Sequence, residues 1–348
     1  MACVGVYHSP MMRLSAAALA LAVLAPSSPI VRSEFIYEEA PFPSAHASTI
    51  VQTSDGLLAA WFGGTRERAP DVGIWTSRHV NGRWSAPVEV ADGVQSDGGR
   101  YPCWNPVLFD MGAGAITLFY KVGPSPSEWW GMTIVTRDGG QTWSDRQRLP
   151  KGVLGPIKNK PVRLSDGTII AGSSTESTEN PSVWRAHFER SEDGGQSWKI
   201  VRPSMPTSGP EVEAIQPSIL IHTDGRLQAI GRTRSLRVFE TWSRDRGRTW
   251  SPLALTSLPN PNSGIDAVTL RDGRHVVVYN HTTQGRTPLD VAFSSDGEKW
   301  DPPIVLESDP GEYSYPAVIQ TSDGLIHITY TWKRERIKHV VIDPARVR

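Results

Sequence analysis

A small set of side chains in this sequence could recognise an anion and move a proton. Arg232 and Arg286 each carry a planar guanidinium group, which can hold a carboxylate or a sulfate through two parallel hydrogen bonds. His46 can be a further cation at low pH, or a neutral acid or base near its ordinary pKa of about 6.5. Because these residues lie far apart in the chain, the fold must bring them together.

A repeated motif indicates which elements could do so. Thr136–Trp143, Ser191–Trp198 and Ser243–Trp250 all follow the pattern Ser/Thr-x-Asp-x-Gly-x-x-Trp, and Ser294–Trp300 is a version shortened by one residue. Asp and Gly tolerate the left-handed backbone of a tight turn, the hydroxyl bonds it locally, and Trp packs beneath it. The motif recurs about every 50 residues, which indicates a repeat architecture.

A second periodicity gives the number of repeats. Asp-Gly turns, each followed by an apolar run, begin at Asp55, Asp166, Asp224, Asp272 and Asp323. A degenerate member, Gly112–Tyr120, fills the long gap after the first of them. Short apolar runs with turns between them are typical of all-β proteins. We therefore predict a six-bladed β-propeller of four-stranded antiparallel blades, in which Glu34–Glu38 supplies the strand that the sixth blade lacks.

Composition and charge narrow the function. The chain of 348 residues has 36 basic and 36 acidic residues, without the basic stripe that nucleic-acid binding requires. No Pro/Ser-rich linker interrupts the repeats, so we expect residues 34–348 to form a single domain. We also expect the protein to be a monomer. No metal-ligand spacing stands out, and we predict neither a metal site nor a cofactor.

The first 33 residues differ from the rest. Arg13 precedes the apolar run Leu14–Ala25, and a Pro and two Ser follow it. This order is typical of a secretory signal peptide, and the run is too short to span a membrane as a helix. We therefore expect residues 1–33 to be removed, the protein to be secreted or periplasmic, and no membrane span.

The predicted blades bring polar residues to one end of a central channel. Functional groups gather where the innermost strands begin and where the loops after the second strands return. The first group is His46, Trp104, Asn105, Lys158 to Lys160, Glu213, Gln216, Asp266 and Glu312 to Tyr315. The second group is Arg66, Arg68, Asp71, Lys121, Glu176, Arg232, Arg234, Asn280 and Arg286.

The repeated motif resembles the Asp-box of sialidase-like β-propellers, and from His46 to about Tyr330 the chain resembles the non-viral sialidase superfamily. Sialidases hold the substrate carboxylate with three arginines. The segment Gln216–Arg232 matches the family pattern that ends in the second arginine, and Gly285–Ser294 fits the segment of the third. The resemblance therefore implies that Arg232 and Arg286 bind a carboxylate.

The resemblance also implies the reacting groups. The family nucleophile is a tyrosine in a Gly-x-Tyr-Ser context at the start of the last inner strand, and Gly311–Ser314 places Tyr313 there. The acid/base aspartate belongs to the loop after the second strand of the first blade, where Asp71 is available. Together they would form the tyrosine variant of the two-carboxylate glycosidase scheme.

The chain departs from the family pattern at two positions. His46 stands where the first arginine is expected, and Gln216 replaces the glutamate that activates the tyrosine. Because a phenol with a pKa of about 10 is a poor nucleophile without a base, Glu213 and Glu240 are the candidates for that task. The further residues expected to contact the substrate are Gln216, Arg66, Trp104, Asn105, Lys160 and Asp266.

Three functions agree with these residues. The favoured one is a secreted glycoside hydrolase of the exo-α-sialidase type, which removes a terminal acidic sugar from a glycan. The alternative is a polysaccharide lyase, in which cations neutralise a uronate carboxylate while a His or Tyr removes the adjacent proton. The third is a propeller without catalysis that only binds an acidic glycan, because the fold does not determine the function.

Overall fold

The structure, a computed structural model, describes residues 1–6 and 28–347. Most of the predicted signal peptide, including its apolar run, lies outside the described residues, so its removal stays a prediction. The first strand, β1 (Ile30–Phe35), begins inside the segment 1–33. We therefore expect any cleavage upstream of Ile30, because removal of residues 30–33 would shorten a strand that the fold uses.

The described chain forms six antiparallel sheets, which confirms the predicted six-bladed propeller. The strands of blades one to three are β2 (Ser44–Gln52), β3 (Gly56–Gly64), β4 (Gly73–Val80), β5 (Arg83–Trp84), β6 (Val88–Ala91), β7 (Cys103–Gly112), β8 (Ala115–Val122), β9 (Trp130–Thr136), β10 (Gln147–Arg148), β11 (Val162–Arg163), β12 (Ile169–Glu176), β13 (Trp184–Ser191) and β14 (Lys199–Val201). The strands of blades four to six are β15 (Ala214–Ile221), β16 (Leu227–Thr233), β17 (Arg237–Ser243), β18 (Ala254–Pro259), β19 (Asp266–Thr269), β20 (His275–Tyr279), β21 (Leu289–Ser294), β22 (Ile304–Glu307), β23 (Tyr313–Gln320), β24 (Ile326–Trp332) and β25 (Arg336–Ile342).

In blades two to five the strand order in the sheet follows the chain, so each blade is one continuous segment. Because neighbouring strands are antiparallel, the starts of the inner strands and the loops after the second strands lie at one end of the propeller. The Asp-Gly turns and the Asp-boxes lie at the other end. A short 3₁₀ helix, Pro344–Arg346, follows the last strand, and no described helix is long and apolar enough to cross a bilayer.

Closure of the ring takes place in blade six. Strand β1 pairs antiparallel with β25, and Glu34 lies opposite His339. The closing strand predicted from the sequence is thus present, although it begins at Ile30 and ends at Phe35 rather than covering Glu34–Glu38. Pairing of the two chain ends removes an exposed edge that could otherwise recruit another chain.

The Asp-box turns are held by hydrogen bonds around one carboxylate. Asp138 Oδ1 accepts the backbone N–H groups of Gln141 and Thr142, both at 2.9 Å, and Oδ2 accepts the Thr142 hydroxyl at 2.6 Å. The Thr136 hydroxyl accepts the backbone N–H of Gly140 at 2.9 Å. The hydrogen bond from the Thr142 hydroxyl is the main cause that lowers the pKa of Asp138. The spacing that recurs in the motifs of this chain is therefore explained by local bonding at the turn.

The Asp-box of blade four shows how a turn packs on the preceding blade. Trp250 stacks on Phe188 of blade three, with ring centroids 3.8 Å apart and an angle of 11° between the planes. Gly247 has a φ of 77°, and a Cβ added there would lie 2.5 Å from Ile170 Cδ1. The positive φ therefore favours glycine at this turn, and any larger residue would also require the Ile170 side chain to shift.

A buried histidine pair lies at the seam between the closing strand and blade one. His327 Nδ1 and His339 Nε2 are 2.9 Å apart, and His339 Nδ1 is 3.1 Å from Glu34 Oε1. Trp84 Nε1 of blade one donates to the same carboxylate oxygen at 3.2 Å. Burial lowers the pKa of His327 to about 4 and also lowers the pKa of His339. Both imidazoles are therefore neutral in the folded protein near neutral pH.

Acid is expected to destabilise this seam. Both folded-state pKa values lie below the unfolded value of about 6.5, so the unfolded chain takes up protons first as the pH falls. The free energy of unfolding is thus undiminished above about pH 6.5 and declines between there and a pH of about 4. Thermal unfolding should show a midpoint several degrees lower near pH 5 than near pH 7.5.

The control for this prediction compares the buried histidine pair with an exposed histidine. Replacing His327 and His339 by glutamine should reduce the pH dependence of the midpoint, whereas His281→Gln at an exposed position should leave it unchanged. A midpoint that does not change over this pH interval would contradict the prediction.

Candidate active site

Four inner strands begin with the same irregularity of the backbone. The pairing of β2, β7, β15 and β23 with their neighbours shifts register near the first residues, as in a β-bulge. One residue in each bulge has a positive φ, and these residues are Ala47 (57°), Asn105 (37°), Gln216 (60°) and Tyr315 (51°). Because a bulge re-aims side chains, it controls which residues of these strands reach the centre.

Tyr315 lies at the centre of the resulting cluster. Arg232 Nη1 donates to the Tyr315 hydroxyl at 2.7 Å, and Gln216 Nε2 donates to it at 3.3 Å. The guanidinium carbons of Arg232 and Arg286 lie 5.6 and 5.7 Å from the centroid of the Tyr315 ring. The two arginines singled out in the sequence, from blades four and five, therefore meet at one aromatic ring.

Tyr313, the tyrosine expected from the sequence, is not part of this cluster. Its side chain is buried in the apolar cluster between blades five and six, and its ring centroid lies 6.4 Å from that of Trp332. Two residues along a regular strand share a face, but the bulge after Ser314 and the positive φ of Tyr315 turn the two tyrosines apart. The structure thus places Tyr315, not Tyr313, in the centre.

The sequence contains a signal for Tyr315. Tyr315 precedes Asp323 by as many residues as Gln216 precedes Asp224, and both are followed by proline. Counting back from the Asp-Gly turns therefore finds the central tyrosine, whereas the local Gly-x-Tyr-Ser context finds its buried neighbour.

His46 contacts Tyr315 from blade one. The two ring centroids are 4.1 Å apart, and His46 Nδ1 lies 2.9 Å from Thr331 Oγ1. Burial, followed by the positive charges of Arg334 and Arg286, lowers the pKa of His46 well below its ordinary value. His46 is therefore neutral near neutral pH, which favours an acid or base over a further cation.

A third arginine comes from blade six. Arg334, in the turn between β24 and β25, is the charge that affects His46 most. Glu312 Oε1 accepts from Arg334 Nε at 2.6 Å and from Arg286 Nη1 at 2.7 Å, and Glu67 accepts from Arg334 Nη1 at 2.7 Å. These carboxylates orient the two guanidinium groups. Arg334 is not among the residues predicted from the sequence, although it lies in the loop after a second strand, as Arg286 does.

A buried lysine lies under the cluster. Lys158 Nζ is 5.7 Å from the centroid of the Tyr315 ring, and it donates to the carbonyl oxygens of Pro316 at 2.5 Å and Ile265 at 3.0 Å. Burial lowers the pKa of Lys158 to about 7. Since Pro316 directly follows Tyr315, Lys158 supports the bulge that aims the tyrosine.

Lys160 and Asp266, predicted to bind substrate, form a closed network in the channel wall. Lys160 Nζ lies 2.9 Å from Asp266 Oδ2. Asp266 also accepts the Ser218 hydroxyl at 2.7 Å and the backbone N–H of Val318 at 2.8 Å. This network joins blades three to six, so its polar atoms already have partners within the protein.

Asp71 and Arg66 lie on an exposed loop of blade one. Asp71 Oδ2 accepts the backbone N–H of Thr65 at 2.8 Å and its hydroxyl at 2.6 Å. Partial burial acts to raise the pKa of Asp71, but these two hydrogen bonds outweigh it and leave the pKa lowered. Asp71 therefore stays ionised and closes its own loop. Arg66 is exposed on the same loop.

The two glutamates proposed as bases do not bond to either tyrosine. Glu213 accepts the backbone N–H of Trp184 and Arg234 Nη1, both at 3.1 Å. Glu240 accepts Gln228 Nε2 at 2.9 Å on the third strand of blade four. Both carboxylates thus bond to partners other than a tyrosine. Of Glu213, Glu240 and Gln216, it is Gln216 that contacts Tyr315.

The two residues of β7 that were predicted to contact the substrate, Trp104 and Asn105, lie in different surroundings. Trp104 is buried, donates through Nε1 to the carbonyl oxygen of Gly123 at 2.8 Å, and meets Trp129 edge to face at 5.8 Å between centroids. Asn105 occupies the bulge position equivalent to those of Gln216 and Tyr315 and is also buried. Trp104 therefore packs in the interior beside the central channel, and Asn105 occupies one of the four bulge positions with a positive φ.

Glu176 is a carboxylate at this end of the propeller that received no role from the sequence. Trp184 Nε1 donates to Glu176 Oε2 at 3.1 Å, and the Arg232 guanidinium carbon lies 5.0 Å from the Trp184 ring centroid. Burial raises the pKa of Glu176, against the opposing effect of Arg232.

Among the described residues, no group of His, Cys, Asp and Glu side chains is arranged to hold a metal ion.

Comparison with known proteins agrees with this architecture. The BNR repeat-like domain family matches residues 55–328, which is more than half of the chain. No curated protein matches the sequence.

Several solved structures share the fold. A protein of unknown function from Dyadobacter fermentans is 17% identical with a TM-score of 0.75, over 90% of this chain and 98% of that one. A Hadza microbial sialidase is 17% identical with a TM-score of 0.71, over 86% of this chain and 66% of its own. An intramolecular trans-sialidase from Ruminococcus gnavus is 14% identical with a TM-score of 0.70, over 92% and 99%. At such identities the likeness to these structures shows the fold alone, whereas the family match over residues 55–328 shows that this chain belongs to the BNR repeat-like domain family.

Proposed function

We propose that this protein is a sialidase-like glycoside hydrolase that removes a terminal acidic sugar, with Tyr315 rather than Tyr313 as its nucleophile. The observation that carries the proposal is the contact of Arg232 Nη1 with the Tyr315 hydroxyl at 2.7 Å, within a cluster of buried and partly buried arginines. The proposed nucleophile and the group proposed to bind a carboxylate are thus in direct contact.

The cations account for the acidic substrate. Arg232, Arg286 and Arg334 surround the ring pair of His46 and Tyr315, and Glu312 orients two of them. Arg232 Nε and Gln216 Oε1 are buried without a hydrogen-bond partner among the described residues. Because an unpaired buried polar group is costly, a ligand that pairs with them gains affinity. A sugar carboxylate would accept from the arginine, and a hydroxyl or amide of the sugar would donate to the glutamine.

The environment of Tyr315 suits a nucleophile that becomes negatively charged. Both groups that bond its hydroxyl, Arg232 and Gln216, donate to the oxygen, and Lys158 lies below the ring. Donors fixed in advance stabilise the charge that develops when the phenol loses its proton to water. The donors Arg232 and Gln216 would thus take over the task of the activating glutamate, whose position Gln216 occupies in this chain.

One observation favours a second candidate, the uronate lyase. Among the described residues, no carboxylate bonds the Tyr315 hydroxyl, and the neutral imidazole of His46 lies against its ring. A lyase needs cations beside the substrate carboxylate and a tyrosine or histidine that removes the adjacent proton. It does not need a carboxylate side chain as a nucleophile or as an acid. The same cluster of side chains could therefore support elimination.

A screen of acidic glycans separates these functions. Sialosides, uronic-acid oligosaccharides and sulfated sugars are incubated with the protein, and reducing ends and ultraviolet absorbance are followed together. A hydrolase releases reducing ends without absorbance, whereas a lyase leaves an unsaturated sugar that absorbs. Binding measured by calorimetry without either product would show a lectin-like propeller. Neither product nor binding with any acidic glycan would contradict the proposed function.

A further inference from the structure

A cleft lies beside the central cluster, between blades two and three. Its volume is about 670 Å³, and its walls include Trp129, Trp130, Leu149, Pro150 and Thr175. All these residues lie at the end of the propeller that carries Tyr315. Aromatic and aliphatic walls with polar groups at the rim are typical of a site that holds a small organic ligand such as a sugar ring.

Glu176 joins this cleft to the central cluster. It lines the cleft, and its Oε2 accepts from Trp184 Nε1 at 3.1 Å. The Trp184 ring in turn lies 5.0 Å from the guanidinium carbon of Arg232, which bonds Tyr315. A contiguous series of contacts thus leads from the cleft to the tyrosine hydroxyl. A glycan that spans both sites would pass Glu176 where its terminal sugar is linked to the rest.

Glu176 also differs from Asp71 in the state of its carboxyl group. Burial raises the pKa of Glu176, so a share of the protonated acid persists at a higher pH than for an exposed glutamate. Asp71 has a lowered pKa, and one of its oxygens already accepts two hydrogen bonds from Thr65. A group that donates a proton to a leaving group needs the properties of Glu176.

From this geometry we infer that Glu176 is the proton donor to the leaving group, and that the cleft of Trp129 and Trp130 holds a short saccharide as that leaving group. This inference rests on the proposed hydrolase function. It makes a glycan with several sugars, rather than a simple glycoside, the preferred substrate.

The proposed step conserves atoms and charge. The Tyr315 oxygen, which has given its proton to water, forms a bond to the anomeric carbon while the bond from that carbon to the glycosidic oxygen breaks. The proton of the Glu176 carboxylic acid moves to the glycosidic oxygen in the same step. The bonding pair stays on the oxygen, so the saccharide in the cleft leaves as an alcohol. Water later attacks the anomeric carbon, which breaks the bond to the Tyr315 oxygen and gives the terminal sugar a hydroxyl group. The remaining proton of that water passes to the Glu176 carboxylate, and the Tyr315 oxygen takes back a proton from the solvent, which restores both groups.

The test compares leaving groups that do and do not need a proton. The probes are sialyllactose with an aryl sialoside, and a disaccharide that ends in glucuronic acid with an aryl glucuronide. Glu176→Gln should lower the single-turnover rate on the oligosaccharide by about 10²–10⁴-fold, because general acid catalysis contributes about that much. Release of the aryl alcohol in the first turnover should fall by less than about tenfold, since this group leaves without protonation.

Two further variants complete the experiment. Asp71→Asn, the matched control, should affect both kinds of substrate equally. Thr175→Arg places a larger side chain in the cleft and should raise KM for the oligosaccharide but not for the aryl glycoside. Equal losses on both substrates in Glu176→Gln, or the selective loss in Asp71→Asn instead, would overturn the role of Glu176 while the hydrolase function stands. A wild-type protein that cleaves none of the four probes and no other acidic glycan of the screen would overturn the proposed function and this inference with it.

Discussion

Tyr315→Phe is expected to lower turnover by on the order of 10²–10⁴-fold and to leave the affinity for the acidic ligand nearly unchanged. The substitution removes only the hydroxyl that accepts from Arg232 and Gln216, and it keeps the ring against His46. Because binding of the anion depends on the arginines, the loss should appear in kcat rather than in KM. The measurement is steady-state kinetics on a substrate from the glycan screen, with affinity followed by calorimetry.

Tyr313→Phe is the matched control for this prediction. It removes a hydroxyl only two residues away, but from a ring buried in the apolar cluster of blades five and six. Turnover should stay within about twofold of the wild type, with at most a small loss of stability. If Tyr313→Phe abolished turnover while Tyr315→Phe did not, the role of the two tyrosines would be reversed.

Arg232→Lys should weaken binding of an acidic sugar by about 10- to 100-fold, which corresponds to about 1.4–3 kcal/mol. The Nη1 of Arg232 is engaged with Tyr315 while its Nε is buried without a partner. A lysine presents one point charge, which cannot bond the tyrosine and a ligand in two fixed directions. Calorimetry with the acidic sugar checks the affinity, and the kinetics should show a fall in kcat as well.

Arg234→Lys provides the comparison for Arg232→Lys. Arg234 lies on the same stretch of chain and against the same tryptophan, 4.0 Å from the Trp184 ring centroid. Its guanidinium group, however, bonds Glu213 and the carbonyl oxygen of Ser182 rather than Tyr315. Affinity in this variant should stay within about threefold of the wild type. Equal losses in the two variants would remove the argument for a specific clamp.

The architecture could be predicted from the sequence because its determinants are local. An Asp-box is specified within a few residues, as the bonds of Asp138 to Gln141 and Thr142 show. Repetition of such a motif, together with the Asp-Gly turns, sets both the number of blades and the end of the propeller at which each loop emerges. For the same reason Arg232 and Arg286 could be found, since the turn that precedes each of them fixes its place in a blade.

The composition of the site depended on contacts that the sequence does not encode locally. A bulge at Tyr315 turns this side chain into the centre and leaves Tyr313 in the wall, although a regular strand would put both on one face. Arg334 approaches His46 only because the ring closes and brings blade six beside blade one. Spacing along one strand could predict neither of these contacts.

The ionisation states were likewise decided by tertiary structure. His46, Glu176 and Lys158 have ordinary pKa values as free side chains, and burial shifts each of them toward its neutral form. Asp71 shifts the other way because Thr65 bonds its carboxylate. By itself the sequence thus determined the blades and the arginines that they present. Only the closed ring decided which side chains meet and which of them carry a proton, because burial and the field of distant charges exist only after the blades have come together.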